Sequence, residues 1–326
     1  MRKNFAIGVL LSLVSLSGFA AKAQYEYHVV GSSADVTTST TAGTVLAGGG
    51  SDVAAAFQWM INKSGGGDFV VIRATGTNAY NSWINGLGTV NSVETLIIKT
   101  RAAASDPFVV AKIQNAEAVF IAGGDQSDYV NFWKGTPVED AIHYVANVKQ
   151  APVGGTSAGL AILGEFLYSG QSSSVTSSQA LANPYHSYVT LDRDFLTIAN
   201  LGGVITDSHF GARDRMGRLL AFLGRIIKDG WASSVRGIGV DEATAILVEP
   251  SGAATRVGTG AAYFVSSNGM PATCVSGSPL TYTGLATYKV SGAATFNLAT
   301  WTGSGGTAYT LNVNAGAVSS SNGSIY

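Results

Sequence analysis

An α/β protein built on a parallel sheet with helices on both faces is the fold class this sequence predicts. Three observations carry that expectation. Short, continuously apolar runs recur at residues 44–47, 68–72, 95–98 and 118–121, without the polar alternation of a half-solvated sheet. Segments with helical apolar spacing separate several of them. Glycine clusters such as Gly48-Gly49-Gly50 punctuate the runs, as tight turns require.

Taken in order, the chain opens with Arg2 and Lys3, an apolar stretch at 6–16, and Ala21-Lys22-Ala23. The apolar stretch is short for a membrane span, and small-x-small is a cleavage pattern, so residues 1–23 read as a secretory leader. The expected organisation is therefore a leader (1–23), an α/β domain (24–274) and a β-rich C-terminal extension (275–326). Loss of the leader removes three basic residues, leaving an acidic, exported chain that is secreted or periplasmic and free of the membrane.

Run 44–47 reads as a buried strand and 53–61 as a helix. Runs 68–72, 95–98 and 118–121 follow as strands, then a helix at 138–148. Ala151-Pro152-Val153 leads into Gly154-Gly155. Residues 168–182 read as a Ser- and Gln-rich loop, either a lid or a tolerated insertion. Leu201 to Ile205 is an apolar segment. Met216, Leu219, Leu220, Leu223 and Ile227 form the apolar face of a later helix, with Arg215 and Arg218 expected on its opposite face. Beyond residue 275, Thr, Ser, Gly and aromatic residues alternate in the manner of short antiparallel strands.

Composition excludes several classes of protein. The chain has 326 residues, 46% of them hydrophobic and 12% charged, with a formal net charge of −1. That is too apolar for a disordered chain and lacks the basic excess of a nucleic-acid binder. One cysteine cannot build a disulfide framework.

The strongest local motif is Gly155-Thr156-Ser157-Ala158-Gly159, a G-x-S-x-G pattern. A serine on a tight strand-to-helix turn projects its hydroxyl outward, and the following N–H groups face a developing oxyanion. The plain alternative is an ordinary glycine-rich turn. A serine nucleophile needs a base, and the chain has four histidines. His28 lies outside the expected sheet and His143 sits mid-helix. His209, just past an apolar segment, is preferred, with His186 second. Asp241 and Glu242, at the edge of the apolar run 246–248, are the best region for an orienting acid, although acids there are equally common as solvated turn residues. The chain order serine, histidine, acid differs from that of α/β-hydrolases.

Two more clusters bear on chemistry. Gly123-Gly124-Asp125-Gln126 ends a strand; its N–H groups can donate to an oxyanion, and Gln126 can contact substrate. Arg213, Arg215 and Arg218 read either as a solvated basic face or as carboxylate receptors.

Together these blocks resemble the cyanophycinase family, serine exopeptidases related to peptidase E and the aspartyl dipeptidases. The resemblance rests on Gly123-Gly124-Asp125-Gln126, Gly154-Gly155-Thr156-Ser157-Ala158-Gly159, Asp207-x-His209-Phe210-x-x-Arg213-x-Arg215-x-x-Arg218-Leu219 and Gly237-Ile238-Gly239-Val240-Asp241-Glu242-x-Thr244-Ala245. It implies a flavodoxin-like fold similar to class I glutamine amidotransferases. It implies cleavage of cyanophycin, a polyaspartate carrying arginine on each side chain, into β-Asp-Arg dipeptides, with no metal or organic cofactor. It makes Ser157 the nucleophile, His209 the base and Glu242 the acid. Ala158 with Gly123 or Gly124 would form the oxyanion hole. Gln126, Asp207, Arg213, Arg215 and Arg218 would line or support the substrate pocket, Asp207 suiting an arginine and the arginines suiting carboxylates. A homodimer is implied as well. Ser208 stands where the family commonly has Gln, which loosens the expectation of strict cyanophycin specificity. A related dipeptidase with another aspartyl or isoaspartyl substrate, and a non-catalytic binding protein on the same scaffold, are the alternatives. The one cysteine, Cys274, lies far from the Gly-Thr-Ser turn, which disfavours amidotransferase chemistry.

Overall fold

The computed structural model describes residues 1, 25–267 and 269–326; the expected leader beyond its first residue lies outside the described residues. The chain begins with strands β1 (Tyr25–Gly31) and β2 (Gly43–Ala47), helix α1 (Ala54–Lys63), β3 (Asp68–Arg73), α2 (Tyr80–Asn85) and β4 (Ser92–Ile98). Next come α3 (Pro107–Asn115), β5 (Ala118–Ile121), α4 (Gln126–Trp133), α5 (Pro137–His143), β6 (Pro152–Thr156) and α6 (Ala158–Ala161). Then follow β7 (Phe166–Tyr168), α7 (Ser177–Ala182), β8 (Leu191–Arg193), β9 (Val204–Asp207), α8 (Met216–Lys228), β10 (Arg236–Val240), β11 (Thr244–Val248), β12 (Ala253–Gly258) and β13 (Ala262–Ser266). The C-terminal strands are β14 (Tyr282–Val290), β15 (Thr295–Asn297), β16 (Thr302–Ser304), β17 (Thr307–Asn314) and β18 (Ala317–Ser320).

The result is a mixed α/β architecture with two sheets. The ten-stranded sheet runs β1-β4-β3-β5-β6-β2-β11-β12-β15-β16, and the eight-stranded sheet runs β18-β17-β14-β13-β10-β9-β7-β8. Strands β4, β3, β5, β6 and β2 are mutually parallel, as their apolar sequences predict. In the second sheet β7, β9 and β10 are parallel and the rest antiparallel.

Side chains alternate between faces along each strand, so both sheets bury two apolar surfaces. Val70, Ile72, Val119 and Ile121 of the first sheet pack against Val204, Ile238, Val240 and Phe264 of the second in one shared core with α3 and α5. Phe69, Val71, Phe120 and Val45 face the other way, onto Phe57 and Met60 of α1. Ile205, Tyr263 and Val265 face α8, whose Leu219, Leu220, Leu223 and Ile227 fill a third core.

The segment from 275 onward consists of antiparallel strands and continues both sheets: β14 pairs with β13, and β15 with β12. Two expectations need correction. His28 is not outside the sheet, since β1 pairs along β4 at its edge. Residues 168–182 are not all loop, because α7 occupies the last six. Thr176 and Gln179 form a reciprocal capping box that starts this helix.

Candidate active site

Three chain reversals meet at one end of the two sheets. β2 and β6 run parallel with Ala47 opposite Thr156, so the residues after both strands emerge side by side. Ser157 N–H donates to the Ala47 carbonyl at 3.2 Å. β9 ends at Asp207 in the second sheet, and His209 N–H donates to Gly48 O at 2.7 Å, which ties the two sheets together there. Glu242 lies on the turn from β10 to β11, where the chain passes from the second sheet to the first.

The side chains converge accordingly. Ser157 Oγ lies 2.7 Å from His209 Nε2, and His209 Nδ1 lies 2.6 Å from Glu242 Oε1. With the proton on Nδ1, the imidazole donates to Glu242 and accepts from the Ser157 hydroxyl. His186 is engaged elsewhere, its Nδ1 accepting from Tyr188 N–H, and His143 Nε2 accepts from Thr197 N–H.

The backbone holds this arrangement in uncommon conformations. Ser157 has φ 54° and ψ −114°, and His209 and Ala243 also have positive φ. Such conformations cost about 1–3 kcal/mol each and persist where the surroundings fix them. Glycine makes the close approaches possible. A Cβ on Gly159 would stand 2.1 Å from Ile121 O, and one on Gly155 2.5 Å from the Gly159 carbonyl carbon. Gly49 (φ +90°) lies directly against the His209 ring, where a Cβ would come within 2.5 Å of Nε2. Sequence reading treated Gly49 only as the end of a strand; its role depends on β2 lying beside β6, which no local pattern reveals.

Ser157 opens into a cleft of about 430 Å³ whose lining includes Gly124, Gln126, Ala158, Arg213 and Ser174. The Ala158 N–H stands at the first position of α6, where a helix leaves its donors without intrahelical partners. Gly123 adjoins Ser157 across the β5–β6 pair, a Cβ there meeting the Ser157 Cβ at 3.4 Å. Gln126 begins α4, capped by Asp125, whose Oδ1 accepts from Ser127 N–H.

The arginines are not alike, and the expectation that Arg215 and Arg218 share a solvated face is corrected. Arg218 is 3% exposed and grips Asp207 with two bonds, Nε to Oδ2 at 2.7 Å and Nη2 to Oδ1 at 2.5 Å. Its guanidinium also stacks over Tyr168. Arg215 Nη1 donates to the Ser208 carbonyl at 2.9 Å and lies 3.4 Å from Asp207 Oδ1. Asp207 is thereby committed to protein cations rather than held ready for a substrate arginine. The reason is the docking of α7 on α8: Ser177 Oγ accepts from Arg218 N–H, and the Val175 carbonyl accepts from its Nη1, so this side of α8 is covered. The Thr176–Gln179 capping signature was the legible sign of that helix. Arg213 remains half exposed, its Nε 3.9 Å from Glu242 Oε1.

Electrostatics favour a neutral His209. Burial pushes the His209 imidazole below its ordinary value of 6.5; Arg213 and Arg215 push the same way, and the Glu242 hydrogen bond opposes them. The bond to His209 holds Glu242 below the usual carboxylate range. Burial brings Arg215 down to about 10. Among the described residues, no group of three or more His, Cys, Asp or Glu side chains is placed to hold a metal ion. Nor is any helix among them long and apolar enough to cross a membrane. The one cysteine, Cys274, is buried in the core around α8, away from this cleft, with its thiol pushed up to about 11.

The class these features define is a mixed α/β protein with a serine–histidine–carboxylate hydrogen-bond chain at the carboxyl ends of its strands. Its fold is similar to that of a peptidase from an acI-B1 Actinobacterium, with a TM-score of 0.54 over 79% of this chain and 98% of that one; at 15% identity the likeness is one of fold. In sequence it is similar to curated cyanophycinases: 31% identical over 175 residues to that of Nostoc sp., 31% to that of Trichormus variabilis, and 26% over 178 residues to that of Geminocystis herdmanii. The first of these alignments covers 53% of this chain and 53% of the Nostoc protein, so the chain spans about half the length of the curated relatives it matches. The resemblance read from the four motif blocks is thus matched by similarity to proteins of that name. No family model matches the chain.

Proposed function

We propose that the chain is an exported serine peptidase that hydrolyses cyanophycin or a closely related aspartyl peptide. The single observation that carries this reading is the unbroken hydrogen-bond chain Ser157–His209–Glu242 opening into an arginine-lined cleft. The framework proposed is flavodoxin-like. In its support, β4, β3, β5 and β6 follow the 2-1-3-4 order of that fold, with β2 in the fifth position. Arg2, Lys3 and the apolar run 6–16 support export, to the periplasm or the medium.

In mechanism, His209 Nε2 takes the proton from Ser157 Oγ as the oxygen attacks an aspartyl carbonyl carbon. The N–H groups of Ala158 and of Gly123 or Gly124 receive the oxyanion. The carbon–nitrogen bond then breaks, and His209 gives its proton to the departing amine. Water attacks the acyl ester, passing a proton through His209 back to Ser157 Oγ as the ester bond breaks. Glu242 stays ionised, orients the imidazole and stabilises its charged form. Gln126, Arg213 and Arg215 orient the substrate, Arg213 being the one free to meet a carboxylate. Asp207 and Arg218 support the cleft wall from within.

A second reading, a dipeptidase acting on another aspartyl or isoaspartyl substrate, is favoured by Ser208. Its short hydroxyl is drawn to Arg215, where an amide would reach further into the cleft. The deciding experiment incubates purified protein with cyanophycin and identifies the products. Release of β-Asp-Arg is the expected result. Cleavage of small β-aspartyl peptides without attack on cyanophycin would select the second reading.

A further inference from the structure

A second pocket lies near the glutamate end of the serine–histidine–glutamate chain. It is lined by Asp52, Tyr80 and Trp83 with Ala79, and encloses about 380 Å³. Its position follows from the topology. Asp52 comes just after β2, two residues beyond Gly50, where a Cβ would meet the Glu242 Cβ at 3.0 Å. Two residues of extended chain reach at most about 7 Å, so Asp52 lies close to Glu242. Tyr80 and Trp83 stand on α2, which follows β3. Ligands of parallel sheets bind at these carboxyl strand ends.

The chemistry of the lining is that of a cation receptor. Tyr80 and Trp83 are three residues apart on α2 and so share a face. Their rings lie 6.2 Å apart and nearly edge to face, and Phe57 packs behind both. Both side chains are largely buried, and what remains open of each lines the pocket. Tyr80 O–H donates to Asp52 Oδ1 at 3.1 Å, which sets the carboxylate against the aromatic pair. Among the described residues no cationic side chain forms a salt bridge with Asp52. The nearby Arg73 directs three of its five N–H groups to the carbonyls of Thr75, Thr77 and Gly123. A carboxylate beside two aromatic rings at a pocket wall attracts a guanidinium or ammonium group through charge and through the ring quadrupoles.

The two pockets are therefore opposite in character. The cleft at Ser157 is arginine-lined. Of its two acids, Asp207 is bound by Arg218 and Asp125 caps α4. A substrate arginine finds a better partner in the second pocket. We infer that Asp52, Tyr80 and Trp83 form a recognition site for the cationic side chain of a substrate whose scissile carbonyl lies against Ser157. This rests on the proposed peptidase reading for its substrate, but not for its binding chemistry.

Two measurements test it separately. In the first, agmatine, a small guanidinium probe, is titrated calorimetrically into the Ser157→Ala protein and its Asp52→Asn and Trp83→Leu derivatives. Weakening of about 5- to 10-fold by each is expected from loss of a charge-assisted bond or an aromatic face. Equal binding by all three proteins, or no binding by any, overturns the inference. In the second, kcat/KM is compared for an aspartyl peptide bearing arginine and its neutral citrulline analogue. The preference for arginine over citrulline should fall about 10-fold in Asp52→Asn. A preference unaltered by Asp52→Asn overturns it. Should the protein cleave neither peptide, the peptidase reading fails, and the agmatine titration still decides the pocket.

Discussion

The turn at Ser157 and the rim around Arg213 border the same cleft but are built on different terms. At the turn, the close contacts are backbone against backbone: Gly159 against Ile121, Gly155 against Gly159, Ser157 N–H on Ala47 O. At the rim, Arg213 is half exposed and approaches Glu242 only loosely. The difference teaches that the atoms proposed to react are positioned by the main chain, which tolerates no added atom, whereas the proposed substrate-facing rim relies on side chains that can be exchanged. Arg218 belongs with the first region, although its sequence spacing places it with the second.

The largest expected effect lies at the turn itself. Ser157→Ala should lower hydrolysis by about 10⁴-fold or more while leaving the melting temperature nearly unchanged, because only the hydroxyl is lost. Residual activity within tenfold of the parent would show that Ser157 is not the nucleophile.

Burial ranks next. Arg218→Met should destabilise the fold by about 3 kcal/mol in denaturant unfolding, since it removes the bidentate partner of the buried Asp207 and leaves only the longer Arg215 contact. Arg213→Ala should leave stability within about 0.5 kcal/mol and raise KM several-fold. Equal stability losses in the two variants would erase the contrast between wall and rim.

The smallest effect concerns pH. His209 must be neutral to accept the serine proton, and its folded pKa is depressed. The base therefore stays competent down to pH values below 6.5 and is lost as pH falls through the folded pKa. The acid limb of kcat/KM should lie below 6.5. Because Arg213 contributes to the depression, Arg213→Ala should move that limb to higher pH. A limb at or above 6.5 in the parent enzyme would contradict the effect of burial on His209.

Much of this was legible in the linear chain. The apolar runs without alternation marked the parallel strands, because a strand buried on both faces has no solvated side. Gly155-Thr156-Ser157-Ala158-Gly159 marked the turn, because few other sequences accept its backbone. His209 was singled out as a residue just past a strand end, and Asp241-Glu242 as acids at another boundary. These signals are local and need only a few consecutive residues.

Other features became visible only in three dimensions. The strands divide between two sheets, with Ser157 following a strand of one, His209 following a strand of the other and Glu242 on the link between them. Periodicity records which residues are buried, not which sheet buries them. Helical spacing puts Arg218 opposite the apolar face, either as a solvated cation or as a carboxylate receptor; the packing of α7, a helix concealed in a serine-rich stretch, covers it and gives it to Asp207. Gly49 and Asp52 carried no motif at all. Composition and local pattern determined that this chain forms buried parallel strands with a strained serine turn, since both depend on neighbours in sequence. The pairing of β2 with β6, which brings a glycine against the histidine and a carboxylate toward the aromatic face of α2, was decided by the tertiary structure, because contacts between distant segments leave no trace in their separate sequences.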